Sequence, residues 1–222
     1  MPQEPLNDVG SVTGKPTLPE ILKRIARSLG NDGFTRLQIS DAYLNELTSD
    51  VSRIRERIDR PNLCYPEPDC GASVQRGLLV LWNLLTGGVF GSVYNIGRCW
   101  QMRQGTPCEE FHQVDIAVIG DGASFAEAKG IVVGLAIALG LDSASIVIRP
   151  MKLQFLGPVG SVAIKAGRPL SEAASHDAVA VGCAGMLRPE LWQAAELDPE
   201  QLGLLVCLNV DRLMSTMHLI EP

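Results

Sequence analysis

The sequence predicts an α+β fold, in which an antiparallel β-sheet is flanked by helices. The first indication is a pair of strand-like segments, Val89–Ile96 and Phe111–Ile119, separated by the turn sequence Gly105-Thr106-Pro107. Such punctuation between two strand-like segments favours a hairpin and therefore antiparallel pairing. The second indication is that further short strands are mixed with helical segments along the rest of the chain. This mixture disfavours a doubly wound parallel sheet.

The N-terminal part of the chain divides into a tail and a helix. Residues 1–16 are polar and rich in proline and glycine, so we expect a flexible tail ahead of a single domain at 17–222. Thr17 is a typical N-cap, and Gly30 is a typical helix end. The apolar residues between them recur at the helical period: Leu18, Ile21, Leu22, Ile25 and Leu29.

The remaining elements follow from the same periods and from capping and turn residues. Ser124 caps an apolar helix that ends at Gly140. Further helices are predicted at 41–60, 71–85, 187–195 and 210–218. Further strands are predicted at 34–39, 145–148, 162–166, 178–181 and 204–208, which implies a sheet of six or seven strands.

Length and composition are typical of one globular domain. The 222 residues are 46% hydrophobic and 20% charged, with a net charge of −6. An acidic chain has no general attraction for nucleic acid, and the arginines of residues 53–60 alternate with acids as on a solvated helix face. The longest apolar run, Ile131–Leu141, is too short to span a bilayer. Since the N-terminus also carries no secretory signal, we expect a cytoplasmic protein.

The cysteine pattern favours free thiols over a metal site. The six cysteines form no CxxC pair, and their spacings fit no common zinc pattern. We therefore predict six free thiols in a reducing compartment, with no metal bound by them. The chain also contains neither GxGxxG nor GxxxxGK[ST], so neither Rossmann nor P-loop phosphate binding is supported.

Several segments, in order, resemble class II aminoacyl-tRNA synthetases. Residues 94–120, YNIGRCWQMRQGTPCEEFHQVDIAVIG, are similar to motif 2, two antiparallel strands joined by a loop. Residues 181–199, VGCAGMLRPELWQAAELDP, resemble the phenylalanyl-tRNA synthetase α-subunit ahead of motif 3, and residues 203–213, GLLVCLNVDRL, resemble motif 3. Residues 65–76, YPEPDCGASVQR, are similar to a segment of the histidyl enzymes. The resemblance implies a short stand-alone relative with the class II synthetase-like sheet.

The resemblance also implies a role for each matching residue in activating a carboxylate with ATP. Phe111 matches the ring that stacks on adenine, and Gln113 matches a polar residue that faces the substrate. Arg212, preceded by Asp211 where the family has glutamate, matches the motif 3 arginine beside the triphosphate. Glu67 matches the acid that meets the substrate's ammonium group in histidyl enzymes. ATP, with Mg²⁺ as an option, is the implied cofactor, and an amino acid or similar carboxylate the implied ligand.

Other positions depart from the family's pattern. Gln101 stands where motif 2 has its arginine, and Arg103 stands where motif 2 has an acid. Asn209 stands where motif 3 has a glycine, and Leu156-Gly157 replaces a Thr-Glu pair of the phenylalanyl enzymes. Because arginine is long and always charged, Arg103 or Arg98 is a candidate to replace the missing motif 2 cation.

Each matching residue also has a plain structural interpretation. Phe111 fits a half-buried strand position. Arg212 and Asp211 fit the first turn of a helix, where an acid interacts favourably with the helix dipole. Glu67, between two prolines, fits an exposed turn.

Three functions follow from these observations. The first is an adenylate-forming ligase that passes a carboxylate to a non-standard acceptor. The second is a non-catalytic relative that binds a small molecule or a partner protein. The third is a true aminoacyl-tRNA synthetase, which is disfavoured because no anticodon-binding extension is evident. The acidic charge of the chain also disfavours tRNA as a partner. The resemblance also implies a homodimer or hetero-partner, through the first helix and residues 41–60, where the family places motif 1.

Overall fold

The computed structural model describes residues 16–38, 91–101, 109–151, 156–165 and 178–217. The predicted helices at 41–60 and 71–85 lie outside these residues. The described chain forms helices and strands in this order: α1 (Leu18–Asn31), β1 (Thr35–Arg36), β2 (Gly91–Gln101), β3 (Glu109–Ile119), α2 (Phe125–Ala138), a 3₁₀ turn (Ser143–Ser145), β4 (Ile146–Met151), β5 (Leu156–Lys165), β6 (Ala178–Leu187), α3 (Pro189–Ala194), β7 (Gly203–Asn209) and α4 (Val210–Met217).

The strands form one seven-stranded sheet in the order β1-β2-β3-β7-β6-β5-β4. Every neighbouring pair is antiparallel except β1 and β2, which run parallel. The predicted α+β class and the predicted hairpin of β2 and β3 are therefore confirmed. The hairpin is longer than the sequence indicated, because β2 continues past the glycine at position 97 to Gln101, opposite Glu109.

The predicted strand at 34–39 is wrong in length, since only Thr35–Arg36 pairs as a strand. The reason lies in how α1 ends. Gly33 adopts a positive φ of 85°, and the Phe34 N–H donates to the Leu29 carbonyl at 2.9 Å. Phe34 therefore belongs to the end of the helix, and the strand begins only at Thr35. Beyond Arg36 the chain still contacts β2, because the Leu37 N–H donates to the Tyr94 carbonyl at 2.7 Å, and residue 39 lies outside the described residues.

Helix α1 places its apolar stripe in the core. Ile21, Ile25 and Leu29 are at most 1% exposed. At the start of the helix, Glu20 accepts a hydrogen bond from the Thr17 N–H at 2.7 Å, which satisfies a backbone donor and fixes the first turn. The predicted helix and its core residues are confirmed.

Helices α1, α2 and α4 pack on one side of the sheet, which we call the helix-bearing face. Successive residues of a strand point to opposite faces, so this face receives every second residue. Its central residues are buried with the three helices in one core: Val114, Ile116, Val118, Leu204, Val206 and Leu208. In addition, the Tyr94 hydroxyl donates to the Ala26 carbonyl of α1 at 3.4 Å. The other side of the sheet therefore carries the alternate residues of each strand.

Helix α2 contains most of the longest apolar run of the sequence. It is capped by Ser124, whose Oγ accepts the Glu127 N–H at 3.0 Å. Its buried side packs Ala128, Ile131 and Leu135 against the core, which confirms the prediction of a buried helix. Over the described ranges, no helix is long and apolar enough to cross a membrane.

Candidate functional site

The face of the sheet opposite helices α1, α2 and α4 carries an unusual set of buried polar residues. Asn95, Gln113, Asp115 and Asn209 have exposed fractions of 1%, 0%, 0% and 7%. The strand register places all four on this side, because Asn95 lies opposite Asp115 and Gln113 lies opposite Asn209. Burying polar groups costs free energy unless they are paired, so four on one face indicate a purpose beyond packing. We call this side the polar face.

A row of side chains crosses the polar face from strand to strand. Residues directly opposite each other in neighbouring strands share a face. The register places six such residues side by side across the sheet. From β2 to β4 this cross-sheet row is Asn95, Asp115, Cys207, Cys183, Ser161 and Arg149. A neighbouring row contains Gly97, Gln113 and Asn209. The centre of the face is thus lined by amide, carboxylate and thiol groups.

Hydrogen bonds position the amides of the polar face. Gln113 Nε2 donates to Asp115 Oδ1 within β3. Asn95 Nδ2 donates to the Leu37 carbonyl at 3.0 Å, which also ties β2 to the chain after β1. Because Gln113 gives its amide hydrogen to Asp115, its carbonyl oxygen is an acceptor beside a buried carboxylate. This part of the face therefore favours a cationic group.

The two thiols of the row are buried neighbours. Cys183 and Cys207 lie opposite each other on β6 and β7, with 3% and 0% exposure, and they are free cysteines, as is Cys99. A hydrogen bond with Cys183, burial, and the negative charge of Asp115 together raise the pKa of Cys207 well above its usual value. Cys207 therefore stays a neutral thiol and is a poor nucleophile. The predicted thiols at 64, 70 and 108 lie outside the described residues.

The raised pKa of Cys207 predicts a loss of stability at high pH. Above about pH 8.5, the usual pKa of a thiol, Cys207 ionises in the unfolded chain but keeps its proton in the native protein. Below that pH its contribution is constant, and above it the free energy of unfolding falls by up to about 1.4 kcal/mol per pH unit. Urea unfolding between pH 7.5 and 10 measures this slope. The Cys207→Ala variant should show a shallower slope, and equal slopes would contradict the prediction.

The chain leaves β7 between two strands that extend further. β7 ends at Asn209, whereas β3 and β6 both continue beyond it. On the β3 side, Asp211 Oδ2 accepts the His112 backbone N–H and lies 3.3 Å from His112 Nδ1. On the β6 side, an Arg212 guanidinium nitrogen donates to the Ala180 carbonyl at 3.4 Å. The two side chains thus contact main-chain groups of the strands that flank the end of β7.

Asn209 forms the N-cap of α4. Its Oδ1 accepts the Arg212 N–H at 2.9 Å, three residues along the chain. An oxygen at this position satisfies one of the unpaired N–H groups at a helix start. Asn209, which stands where motif 3 has a glycine, therefore has a local structural role, because it fixes the turn that carries Arg212.

The structure brings several of the predicted site residues together. Phe111 and Gln113 lie on the polar face of β3 by strand alternation, and Asn209 connects Gln113 across the strands to the first turn of α4. Asp211 and Arg212 occupy that turn. The predicted role of Phe111 in adenine stacking stays a prediction: its ring is 3% exposed and would have to become accessible for a base to bind.

The structure describes only some of the other predicted site residues. Glu67 and Arg103 lie outside the described residues, and Gln101 ends β2 opposite Glu109. Arg98, the second candidate for the missing motif 2 cation, lies on the helix-bearing face opposite His112 and pairs with Glu110 at 3.1 Å. It is therefore not among the side chains of the polar face.

Sequence reasoning missed Asp115, Asn95 and the Cys183–Cys207 pair as members of a site. The alternation of Phe111, Gln113 and Asp115 was a usable signal for one face, since a buried strand face seldom carries an acid. The contributions of β2, β6 and β7 depend on the register between strands distant in sequence. No local pattern reveals it.

The sequence matches the family described as tRNA synthetases class II core domain (F) over residues 91–221, more than half of the chain. The chain belongs to this family. Its match begins with β2 and covers the β2–β3 hairpin that resembles motif 2 and the β7–α4 junction that resembles motif 3. The polar face and Arg212 therefore lie within the class II synthetase core. In the part of the chain that the structure describes, no group of three histidine, cysteine or acidic residues is arranged to hold a metal ion.

Proposed function

We propose that this class II synthetase-like protein binds ATP and an amino-acid-like carboxylate on the polar face. The carboxylate attacks the α-phosphorus of ATP, pyrophosphate leaves, and the resulting adenylate serves a non-standard acceptor. The observation that carries the proposal is the set of four buried polar side chains on the face opposite the helices. A protein that used the domain only as a scaffold would gain stability from apolar residues there. Among class II enzymes, the phenylalanyl α-subunit is the relative that the segment at 181–199 favours.

The residues present fit the two ends of such a ligand pair. Asp115 and the Gln113 carbonyl oxygen together form an acceptor site that suits an ammonium group. Arg212 has one guanidinium contact at 3.4 Å, so its remaining donors suit phosphate oxygens. ATP, when bound, would supply the electrophilic phosphorus. Arg212 would stabilise the negative charge that develops there, while Gln113 and Asp115 orient the substrate.

Asp211 has a supporting role in this proposal. Its Oδ2 is engaged by the His112 backbone N–H, so the carboxylate holds α4 against the end of β3. By fixing the helix start, it fixes the Cα of Arg212 relative to the polar face. Glu67 and Arg103 remain candidates for the ammonium group and for the missing motif 2 cation.

Phe111→Leu is expected to weaken ATP binding by roughly 1–3 kcal/mol, the scale of base–aromatic stacking. Leucine keeps an apolar side chain in the buried site but removes the π-face. Calorimetric titration with ATP, together with thermal unfolding, measures both effects. Phe125→Leu is the matched control, because this ring lies on α2 with 36% exposure and should leave ATP affinity unchanged. A folded Phe111→Leu protein with wild-type affinity would assign the ring to the core alone.

The experiment that tests the function is acid-dependent exchange of pyrophosphate into ATP, screened over amino acids and other carboxylic acids. The proposal expects at least one acid to produce exchange above the acid-free control. Absence of exchange for all acids, together with absence of ATP binding in calorimetry, would contradict it.

A non-catalytic, ligand-binding or partner-binding relative is the second candidate. Gln101 at the motif 2 arginine position favours it, because an amide carries no charge to the phosphate. This candidate predicts binding of ATP or an acid without exchange. Dimerisation also remains a prediction, and any interface on α1 would use its polar side, since the apolar stripe is buried within this chain.

A further inference from the structure

In the side-chain amide of Asn209, the oxygen Oδ1 is hydrogen-bonded and the nitrogen Nδ2 is available to a ligand. Its Oδ1 accepts the Arg212 N–H, and only an oxygen can face that donor, so the orientation of the amide is determined. Nδ2 must then point away from the helix turn. Within the described ranges, Nδ2 has no hydrogen-bond partner; Asn209 as a whole is only 7% exposed, but this nitrogen is not among the fully buried atoms and is open to solvent.

Helix capping does not account for this amide nitrogen. Serine and aspartate cap a helix about as well as asparagine, because the cap requires only an acceptor oxygen. Because Nδ2 is open to solvent and has no partner in the described chain, it can donate to water or to a ligand. The nitrogen is therefore available to an acceptor that binds from outside the described chain.

The position of Asn209 indicates where that acceptor lies. Across the strands it pairs with Gln113, at the end of the site proposed for the ammonium group. Along the chain it is bonded to Arg212, at the end proposed for phosphate. A group held between these two ends is the carboxyl group of the substrate, next to the phosphorus that it attacks.

We propose that Asn209 binds the substrate's carboxyl group by donating a hydrogen bond from Nδ2 to one of the carboxyl oxygens. This inference rests on the proposed function and adds a substrate-contacting residue at a position where the family it resembles has glycine. A side chain here also occupies space that glycine would leave open. The site should therefore favour substrates with little bulk next to the carboxyl group.

The test uses acyl-sulfamoyl adenosines, which keep the acyl oxygen and replace the phosphate by a non-hydrolysable sulfamate. Analogues carrying each of the standard amino acids, and 5′-sulfamoyladenosine without an acyl group, are titrated into the wild-type protein. The same compounds are then titrated into Asn209→Asp, which keeps the capping oxygen and has no donor, and Asn209→Ser, which keeps the capping oxygen and has only a hydroxyl donor with a shorter reach. Thermal unfolding checks that the cap is retained. Asn209→Gly serves as a third variant, which loses the side chain but costs the helix start little.

We expect both capping variants to bind the best acylated analogue about tenfold or more weakly than the wild type. Their affinity for 5′-sulfamoyladenosine should change less than threefold. If the wild type binds acylated analogues and both Asn209→Ser and Asn209→Gly bind them equally well, the role of Asn209 is refuted while the proposed function stands. If the wild type binds none of the compounds, the proposed function fails, and the inference fails with it.

Discussion

Replacing Arg212 with methionine is expected to lower the rate of acid-dependent pyrophosphate exchange by about 10²–10³-fold. Removing one preorganised group that stabilises charge in the transition state typically has this effect. Methionine keeps most of the aliphatic stem, so the packing of α4 should be preserved. Affinity for the acid should change much less than the rate, because the interaction strengthens only as charge develops on phosphorus. Exchange kinetics over a range of acid concentrations separate the two.

Two controls distinguish this role from a structural one. Arg212→Lys keeps the positive charge but loses the planar guanidinium, so this variant should retain part of the exchange rate that Arg212→Met loses. Arg36→Met removes an exposed arginine on edge strand β1 and should leave exchange unchanged. Because the Arg212 contact with the Ala180 carbonyl is long, at 3.4 Å, we expect little loss of thermal stability. A stable Arg212→Met protein with wild-type exchange would show that Arg212 serves only as a structural hydrogen-bond donor to β6 beyond the end of β7.

The second large effect is expected for Gly182→Ala, which should destabilise the fold by about 3 kcal/mol or more. A Cβ at this position of β6 would lie 2.0 Å from the Cys207 carbonyl oxygen and 2.9 Å from Leu208 Cδ2. The oxygen belongs to the backbone of central strand β7 and cannot move aside without disturbing the β6–β7 pairing. Overpacking a rigid site typically costs 1–3 kcal/mol and sometimes more. Urea unfolding of the variant measures the change.

Gly130→Ala is the matched control for this substitution. Gly130 lies inside α2, and apart from neighbouring backbone of the same helix nothing comes within 4 Å of the place where its Cβ would lie. Alanine should therefore stabilise the helix by about 0.5–1 kcal/mol through the lower entropy of the unfolded chain. The two variants add the same methyl group with opposite expected signs. A Gly182→Ala protein as stable as the wild type would mean that β6 and β7 can separate locally at little cost.

Elements with strong local signals were predicted well from the sequence. The stripe of α1 and the cap of α2 depend on residues within a few positions of each other, so their helical period was readable. The hairpin of β2 and β3 was readable for a similar reason, since two strand-like segments flank an obvious turn. Its length was underestimated, because a glycine interrupts the apolar alternation of β2 but not its hydrogen bonds to β3.

The candidate site was predictable only where the sequence motifs reach. Phe111, Gln113, Asp211 and Arg212 were identified through their resemblance to class II motifs. Of the positions that depart from the motifs, only Arg103 carried an expectation of how it would be used. Asn209 is the clearest case, because its bond to the Arg212 N–H exists only once α4 turns out of β7.

The sequence by itself determined the α+β class, the main helices and hairpin, and the class II synthetase core. Only the tertiary structure decided that Asn95, Asp115, Cys207 and Cys183 lie in one row. It also decided that this row lies opposite the helices. The physical reason is that helix periods and turns arise from neighbouring residues, whereas the row arises from strand register. Register between β2, β3, β7 and β6 is set when the helices bury the other face of the whole sheet, and a one-residue slip would exchange the two faces.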